Sequence, residues 1–146
     1  MRSGGYRAAA PAKVNLFLRI LERQEDGYHR LETAFQAIDL TDTLEVTAAP
    51  GEGFDLAVVD PEGRPGDVGP IADNPVTRAV RAFEDLTGTA CALRVRLTKR
   101  IPAGAGLGGG SSDAGAMLRL LNHLHGHPLE TVELIRLGAT LGADVA

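Results

Sequence analysis

A run of glycines constrains this chain more than any other feature. Residues 102–114 read PAGAGLGGGSSDA, and five of the seven residues from 104 to 110 are glycine. Glycine loses more backbone freedom on folding than any other residue, so this density needs a structural reason. The run lies between an apolar strand pattern and an apolar helix pattern, whereas flexible linkers are polar and repetitive. It therefore predicts a tight loop whose backbone approaches a ligand closely.

The loop leads directly into a predicted helix that begins near Ser111. The first N–H groups of a helix have no partner within it, and its dipole is positive at that end. This combination favours an anion such as a phosphate group, and Ser111 and Ser112 would add hydroxyl donors. A P-loop is excluded because no Gly-Lys-Ser/Thr follows the glycines. Gly104, Gly106 and Gly109 match the dinucleotide pattern, but they follow several predicted strands rather than the first one.

Apolar alternation and turn residues predict five strands and three helices. The strands are expected at residues 13–21, 31–38, 43–48, 54–59 and 93–97. The helices are expected at residues 75–86, 111–124 and 130–141. Asn74 is the expected N-cap of the first helix, and Gly88 its end. In this order, four strands come first, and the helices follow with one later strand between them. Such an order predicts an α+β fold rather than repeating βαβ units.

Composition narrows the possible functions. The 146 residues fit one domain, and the net charge of −4 without a long run of one sign argues against nucleic-acid and membrane partners. Without a signal peptide or a membrane-length apolar run, the expected location is the cytoplasm. The single cysteine, Cys91, is expected to be a small buried side chain. His123, His125 and His127 lack Cys or Glu partners at zinc-site spacing, which favours a solvated helix end.

Four motifs, in order, resemble the GHMP kinases (galactose, homoserine, mevalonate and phosphomevalonate kinases). They are PAKVNLFL from Pro11, DGYH from Asp26, GLGGGSSDA from Gly106, and LGAD ending at Asp144. The combination is most similar to the branch that phosphorylates a cytidine-diphosphate-linked methylerythritol in the non-mevalonate route to isoprenoids. The resemblance spans nearly the whole chain, but only the N-terminal half of the family's length.

This resemblance implies an ATP- and Mg²⁺-dependent kinase acting on a small molecule. Residues 1–146 would be the N-terminal ATP-binding domain, a mixed or antiparallel sheet packed against helices, without the family's C-terminal domain. Lys13 and Asp144 match the catalytic pair, and Asn15, Tyr28 and His29 match substrate-binding positions. The nucleotide-binding positions would be Asn74, Lys99, Pro102, Gly104, Gly106, Leu107, Gly108, Gly109, Gly110, Ser111 and Ser112. The resemblance specifies neither the metal ligands nor the oligomeric state.

The same residues have simpler structural interpretations. A strand lysine such as Lys13 usually points to solvent, and an aspartate after a helix, as Asp144 is, commonly belongs to a turn. Tyr28 and His29 fit an ordinary turn flank, and Asp113 fits the preference for acids in the first turn of a helix.

Other functions also stay open. One alternative is a non-catalytic nucleotide-binding module. Another is a dinucleotide-dependent oxidoreductase, which predicts a strand running directly into Gly104. Within the kinases, the alternative is a mevalonate- or homoserine-type substrate. The four matching motifs all belong to the family's N-terminal half, without its second domain. The 146 residues alone are therefore expected to have little or no turnover and to expose apolar surface.

Overall fold

Four strands form one mixed sheet in the computed structural model, which describes residues 5–23, 29–63 and 69–145. The strands are β1 (Tyr6–Arg23), β2 (His29–Ala48), β3 (Asp55–Val59) and β4 (Leu93–Thr98). Their order in the sheet is β1-β2-β4-β3. β2 is antiparallel to β1 and β4, and β3 is parallel to β4. This sheet confirms the α+β prediction and excludes a dinucleotide fold, which needs an open and mostly parallel sheet.

β2 is one long strand where two strands, at 31–38 and 43–48, were expected; that prediction is wrong. The pairing of β1 with β2 shifts register between Pro11, opposite Thr41, and Lys13, opposite Ala37. Such an irregularity interrupts the alternation of apolar residues without ending the strand. The gap in the pattern therefore marks a bulge rather than a loop.

The three helices are α1 (Pro75–Thr87), α2 (Gly109–Leu124) and α3 (Thr131–Leu141), with a short 3₁₀ helix at Ile71–Asp73 before α1. α1 begins as predicted, because Asn74 Oδ1 accepts a hydrogen bond from the Val76 N–H at 2.9 Å. It ends at Gly88, whose φ of 68° costs glycine little. Within the described ranges, no helix is long and apolar enough to cross a membrane.

α2 begins at Gly109, two residues before the expected start at Ser111. Its N-cap is Gly108, which has a left-handed φ of 70°. The earlier start places Asp113 beyond the first turn of the helix. The interpretation of Asp113 as a first-turn acid is therefore wrong, and its burial needs another explanation.

The helices pack on one face of the sheet, and the other face is open to solvent. β4 shows this division, because Leu93, Val95 and Leu97 are buried while Arg94 and Arg96 are exposed. α1 adds a helical stripe to the core: Val76, Ala79, Val80 and Phe83. Spacing of three and four residues aligns these side chains toward the sheet.

Cys91 lies in this core with 1% of its surface exposed, as predicted. Burial, with a smaller contribution from the nearby Glu84 carboxylate, raises the pKa of the Cys91 thiol to about 11. A thiol that stays protonated is a poor nucleophile and a poor metal ligand. Cys91 is therefore a packing residue.

One region of the sheet exposes large apolar side chains. They lie on β1 and β2, and we call them the apolar arm: Leu16, Phe17, Leu18, Leu21 and Phe35, each 45–65% exposed. Both alternating sets of β1 side chains contribute, so neither face of this part of β1 is covered. An exposed apolar patch of this kind is typical of a surface that another polypeptide covers.

Candidate functional site

The glycine loop takes its shape from three residues with left-handed backbone. Gly104, Gly106 and Gly108 have φ angles of 71°, 73° and 70°, a region that costs other residues about 1 to 2 kcal/mol each. At Gly109 the reason for glycine is different, because an added Cβ would lie 2.9 Å from Ile101 Cγ2. The backbone at the start of α2 therefore packs directly onto its neighbours.

The start of α2 presents unpaired backbone donors. No side chain caps the helix, and the Ser112 N–H bonds to Gly108 O at 2.9 Å. The N–H groups of the residues before Ser112, which begin the helix, have no carbonyl of the helix to bond. With the positive end of the helix dipole, they form an anion site at the surface of the loop.

Two cavities meet at this loop. The first, about 460 Å³, lies between the loop and the helices and includes Arg78 and Leu141 in its lining. The second, about 420 Å³, lies toward β1 and β2 and includes Phe35 and Arg119. The residues that line both cavities are Lys13, Gly108, Ser111, Asp144 and Val145. These shared residues form the wall between the two cavities.

Lys13 is held in that wall by its backbone and its side chain. Its N–H donates to Leu107 O at 2.9 Å, so the glycine loop covers the free edge of β1 at this point. Its Nζ lies 2.8 Å from Asn15 Oδ1 and 3.7 Å from Asp144 Oδ2. The same Nζ lies 4.9 Å from the centre of the Phe35 ring. With 22% of its side chain exposed, Lys13 is not the solvent-pointing lysine of the simpler interpretation.

A short chain of hydrogen bonds orients Asn15 toward Lys13. The Asn15 amide nitrogen donates to Thr33 Oγ1 at 2.9 Å, and the Thr33 hydroxyl donates to Phe17 O at 2.6 Å. Because the amide nitrogen is used by Thr33, the amide oxygen faces the Lys13 ammonium. Asn15 therefore positions Lys13.

A third cavity, about 230 Å³, lies behind the loop; its lining includes Asn74, Lys99, Pro102, Leu107 and Asp113. The Asn74 side chain already caps α1. The Lys99 ammonium donates to Asp113 Oδ2 at 2.7 Å and to Asp42 Oδ2. Burial alone would lower the pKa of Lys99, but the Asp113 charge and hydrogen bonds to both carboxylates outweigh it and raise that pKa.

Asp42 connects this ion cluster to the backbone before the loop. It is fully buried, and its Oδ1 accepts from the N–H groups of Arg100 and, at 2.8 Å, Ile101. These bonds fix the direction in which the chain leaves β4. The cluster thus supports the glycine loop from behind.

The structure brings most of the sequence-derived site residues together. Lys13, Asp144 and most residues of the loop from Gly104 to Ser112 line the first two cavities. Asn15 bonds to Lys13, and Asn74, Lys99, Pro102 and Leu107 line the third cavity. Tyr28 lies outside the described residues. His29 begins β2, and its side chain is likewise outside the description.

Arg78, Arg119 and Phe35 are among the cavity-lining residues that sequence reasoning missed. One signal was available, because Ser111, Gly115 and Arg119 recur at four-residue spacing and all line the second cavity. The sequence around Arg78 and Phe35 has no comparable spacing pattern. They join the site only through the packing of α1 and the pairing of β1 with β2.

The histidines near the end of α2 contact one another. His123 Nδ1 and His127 Nε2 lie 3.3 Å apart, and both side chains are exposed. His125 Nε2 lies 3.7 Å from Cys91 Sγ. Among the described residues, no group of three or more His, Cys, Asp or Glu side chains is arranged to hold a metal ion.

Comparison with curated proteins gives close relatives. The chain is 46% identical over 144 residues to the 4-diphosphocytidyl-2-C-methyl-D-erythritol kinase of Bordetella parapertussis, covering 96% of this chain and 45% of the relative. The identity to the kinase of the same name from Solibacter usitatus is 46% over 136 residues, or 93% of this chain and 41% of the relative. The chain thus spans about half the length of the curated relatives it matches.

Solved structures give the same result. A crystal structure of 4-(cytidine 5'-diphospho)-2C-methyl-D-erythritol kinase is 40% identical, with a TM-score of 0.75 over 96% of this chain and 47% of that one. The mevalonate kinase of Methanococcus jannaschii, 19% identical, shares the fold with a TM-score of 0.68 over 99% and 48% of the two chains.

A family model agrees with these similarities. The model of the GHMP kinases N terminal domain matches residues 74–146, which is half of the chain. The matched region runs from the cap of α1 through the glycine loop to Asp144. On this evidence, the chain belongs to the GHMP kinases.

Proposed function

We propose that this chain is the ATP-binding part of a kinase that phosphorylates a hydroxyl group of 4-diphosphocytidyl-2-C-methyl-D-erythritol. The observation that carries the proposal is the position of Lys13 and Asp144 in the wall between two cavities. Phosphoryl transfer needs a phosphate and an acceptor hydroxyl aligned across a short gap. A wall that carries one cation and one carboxylate supplies the charges needed at that gap.

The first cavity suits the polyphosphate of ATP. The backbone N–H groups at the start of α2 would bind phosphate oxygens, and Arg78 adds a cation to the lining. The rest of the nucleotide would extend to the third cavity, beside Asn74 and Lys99. The glycines let the phosphates approach the backbone without interference from side chains.

The second cavity suits the alcohol that accepts the phosphoryl group. Asp144 would accept the proton of the attacking hydroxyl as the new bond to phosphorus forms. Lys13, 3.7 Å from Asp144, would offset charge on the moving phosphoryl group. Asn15, 2.8 Å from the Lys13 ammonium, holds it in place.

A magnesium ion fits this arrangement as a companion of the nucleotide. Mg²⁺ keeps several waters and binds through substrate phosphates with one or two carboxylates. Among the described residues that line the first two cavities, Asp144 supplies the carboxylate. The ion, when bound, would neutralise phosphate charge, and Asp144 would be its contact on this chain.

The identity of the substrate rests on the names of the relatives and on the DGYH segment. We propose that Tyr28 and His29 hold the cytosine ring, since a phenol ring stacks on a pyrimidine and an imidazole bonds its edge. The net charge of −4 fits a small-molecule substrate rather than a nucleic acid or membrane partner. We propose that the protein is located in the cytoplasm.

We further propose that the remaining half of the relatives' length corresponds to a second domain that covers the apolar arm. The arm exposes five large apolar side chains beside the second cavity, where Phe35 belongs to both. Covering it would bury apolar surface and close the acceptor side of the cleft. The 146 residues alone should therefore show little or no turnover.

The test uses the full-length protein in an ATPase-coupled assay with the cytidine-linked alcohol, mevalonate and homoserine. We expect turnover with the first alone. Lys13→Met and Asp144→Asn should each lower kcat by roughly 10³-fold. Arg96→Met and Asp85→Asn, at exposed positions on β4 and α1, are matched controls that should retain activity.

Three results would contradict the proposal. Preferred turnover of mevalonate or homoserine would reassign the substrate. ATP binding without turnover of any of these alcohols would indicate a non-catalytic module. Retention of kcat within tenfold of wild type by Asp144→Asn would remove Asp144 from the chemistry.

A further inference from the structure

The carboxyl group of Asp113 is buried behind the anion site in an unusual state. Its side chain is 3% exposed. One oxygen, Oδ2, accepts from Lys99, but Oδ1 has no hydrogen-bond partner among the described residues. An ionised carboxylate with a buried, unpaired oxygen is costly, whereas a proton on Oδ1 would remove the charge and leave the Lys99 bond intact.

The charges of the cluster do not balance when both carboxylates are ionised. Asp42 and Asp113 share the single Lys99 ammonium, which leaves one net negative charge. That charge lies close to the anion site, since a Cβ on Gly109, the first residue of α2, would be 3.3 Å from Lys99 Nζ. A negative charge at this position opposes the binding of a phosphate at the same helix end.

We propose that Asp113 controls the affinity of the glycine loop for a polyphosphate, and that binding is accompanied by uptake of a proton from solvent onto the Asp113 carboxylate. The proposal rests on the proposed nucleotide-binding role of the loop. The bound phosphates repel the cluster's negative charge, and the proton changes the net charge of the cluster from −1 to zero. Asp113 acts through Lys99 and the backbone of α2, and is therefore a positioning residue.

The surroundings of Asp113 favour this titration near neutral pH. Burial, opposed by the Lys99 charge and assisted by Asp42, raises the pKa of Asp113 to about 7. Asp42 acts on it from β2, and Lys99 from the segment after β4. The Arg100 backbone N–H bonds to Asp42, and its guanidinium bonds to Thr43 Oγ1. Lys13, from β1, lies against the opposite side of the loop at Gly108. Pro75 of α1 lines the same cavity as Asp113.

The expected size of the effect follows from linkage. At pH 7, about half of the Asp113 carboxyls are ionised in the free protein, so binding takes up at most about 0.5 proton. If bound phosphates raise the pKa by about one unit, the affinity should fall roughly fivefold between pH 6 and pH 8. If Asp113 could not ionise, the cluster of Asp42, Lys99 and Asp113 would stay neutral, and the affinity would no longer depend on pH through this group.

The experiment measures binding of the magnesium complex of a non-hydrolysable ATP analogue to the full-length protein by calorimetry at pH 6 and pH 8. Wild type is compared with Asp113→Asn, which keeps the shape and removes the charge, and with Asp85→Asn, an exposed control on α1. We expect Asp113→Asn to bind about fivefold more tightly than wild type at pH 8 and equally at pH 6. Titration of the analogue's own phosphates is common to all three proteins and cancels in the comparison.

A purely structural role for Asp113 predicts a different result, because Asp113→Asn would then bind more weakly at both pH values. That outcome, or the same pH dependence in wild type and variant, overturns the proposal. If wild type does not bind the analogue at either pH, the nucleotide-binding function itself is refuted. If the variant fails to fold, carbon-13 NMR of the wild-type aspartate carboxyls decides: the Asp113 signal must titrate near pH 7, and at higher pH when the analogue is bound.

Discussion

Adding one methyl group at Gly108 tests whether Lys13 must be held where the structure places it. The Cβ of Gly108→Ala would lie 3.0 Å from Lys13 Cγ and 3.1 Å from its Cε. These contacts are tighter than ordinary van der Waals packing, so the lysine side chain must move by a few tenths of an ångström. Its ammonium is already 3.7 Å from Asp144 Oδ2, and a movement of that size away from Asp144 would weaken the ion pair.

Gly106→Ala is the matched control, because its backbone has nearly the same strain without the contact. Gly106 has a φ of 73° and Gly108 one of 70°, but a Cβ on Gly106 would meet no atom of the described residues within 4 Å. Each variant should lose about 1 to 2 kcal/mol of unfolding free energy from the left-handed backbone. Only Gly108→Ala should also displace Lys13, the proposed catalytic lysine, at a cost of about 100-fold in kcat.

The assay is steady-state kinetics of the full-length protein, with chemical denaturation of the same samples. Gly106 and Gly108 both line the first cavity, the proposed site of the ATP polyphosphate, so the KM for ATP should rise in both variants. The discriminating quantity is therefore kcat. The reasoning is refuted if the two variants have similar stability and their kcat values agree within threefold. In that case the position of Lys13 would not limit the reaction.

Three further predictions concern stability. Asp42→Ala should cost about 3 to 5 kcal/mol of unfolding free energy in urea, because it removes the buried carboxylate that accepts from Lys99 and from the N–H groups of Arg100 and Ile101; a loss under 1 kcal/mol would contradict this. Asn74→Ala should cost about 1 kcal/mol in the same measurement, since it removes the α1 cap, and no change would refute the cap's contribution. Because the pKa of Asp113 is raised from 3.8 to about 7, the folded state binds more protons than the unfolded chain, and stability should fall between pH 4 and pH 7 by at most about 1.4 kcal/mol per pH unit. The raised pKa of Lys99 adds stability that is constant in this window, so Asp113→Asn should flatten the curve relative to wild type, and equal slopes would refute the assignment.

Local signals in the sequence predicted local structure. The Asn74 cap, the Gly88 end of α1 and the alternating β4 carry their information within a few residues, and the structure confirms them. The continuity of β2 was missed because it depends on pairing with β1 across a register shift. The site shows the same division. The resemblance pointed to Lys13 and Asp144, and the spacing of Arg119 from Ser111 and Gly115 was a further signal, but Arg78 and Phe35 are brought there only by tertiary packing.

The glycines of this segment have two different structural roles, and the sequence alone does not show which glycine has which role. Those before α2 are needed for left-handed backbone, whereas those inside it are needed for close packing, since Cβ atoms at Gly110 and Gly115 would lie 3.1 Å from Pro75 Cγ and Val145 O. Both groups give the same sequence pattern. The packed group holds the start of α2 against α1 and against the segment that carries Asp144 and Val145, and a site on a supported helix end keeps its geometry better than one on a free loop. The glycine-rich segment is therefore a rigid, preformed anion site, and its low side-chain content reflects close packing of the backbone rather than flexibility.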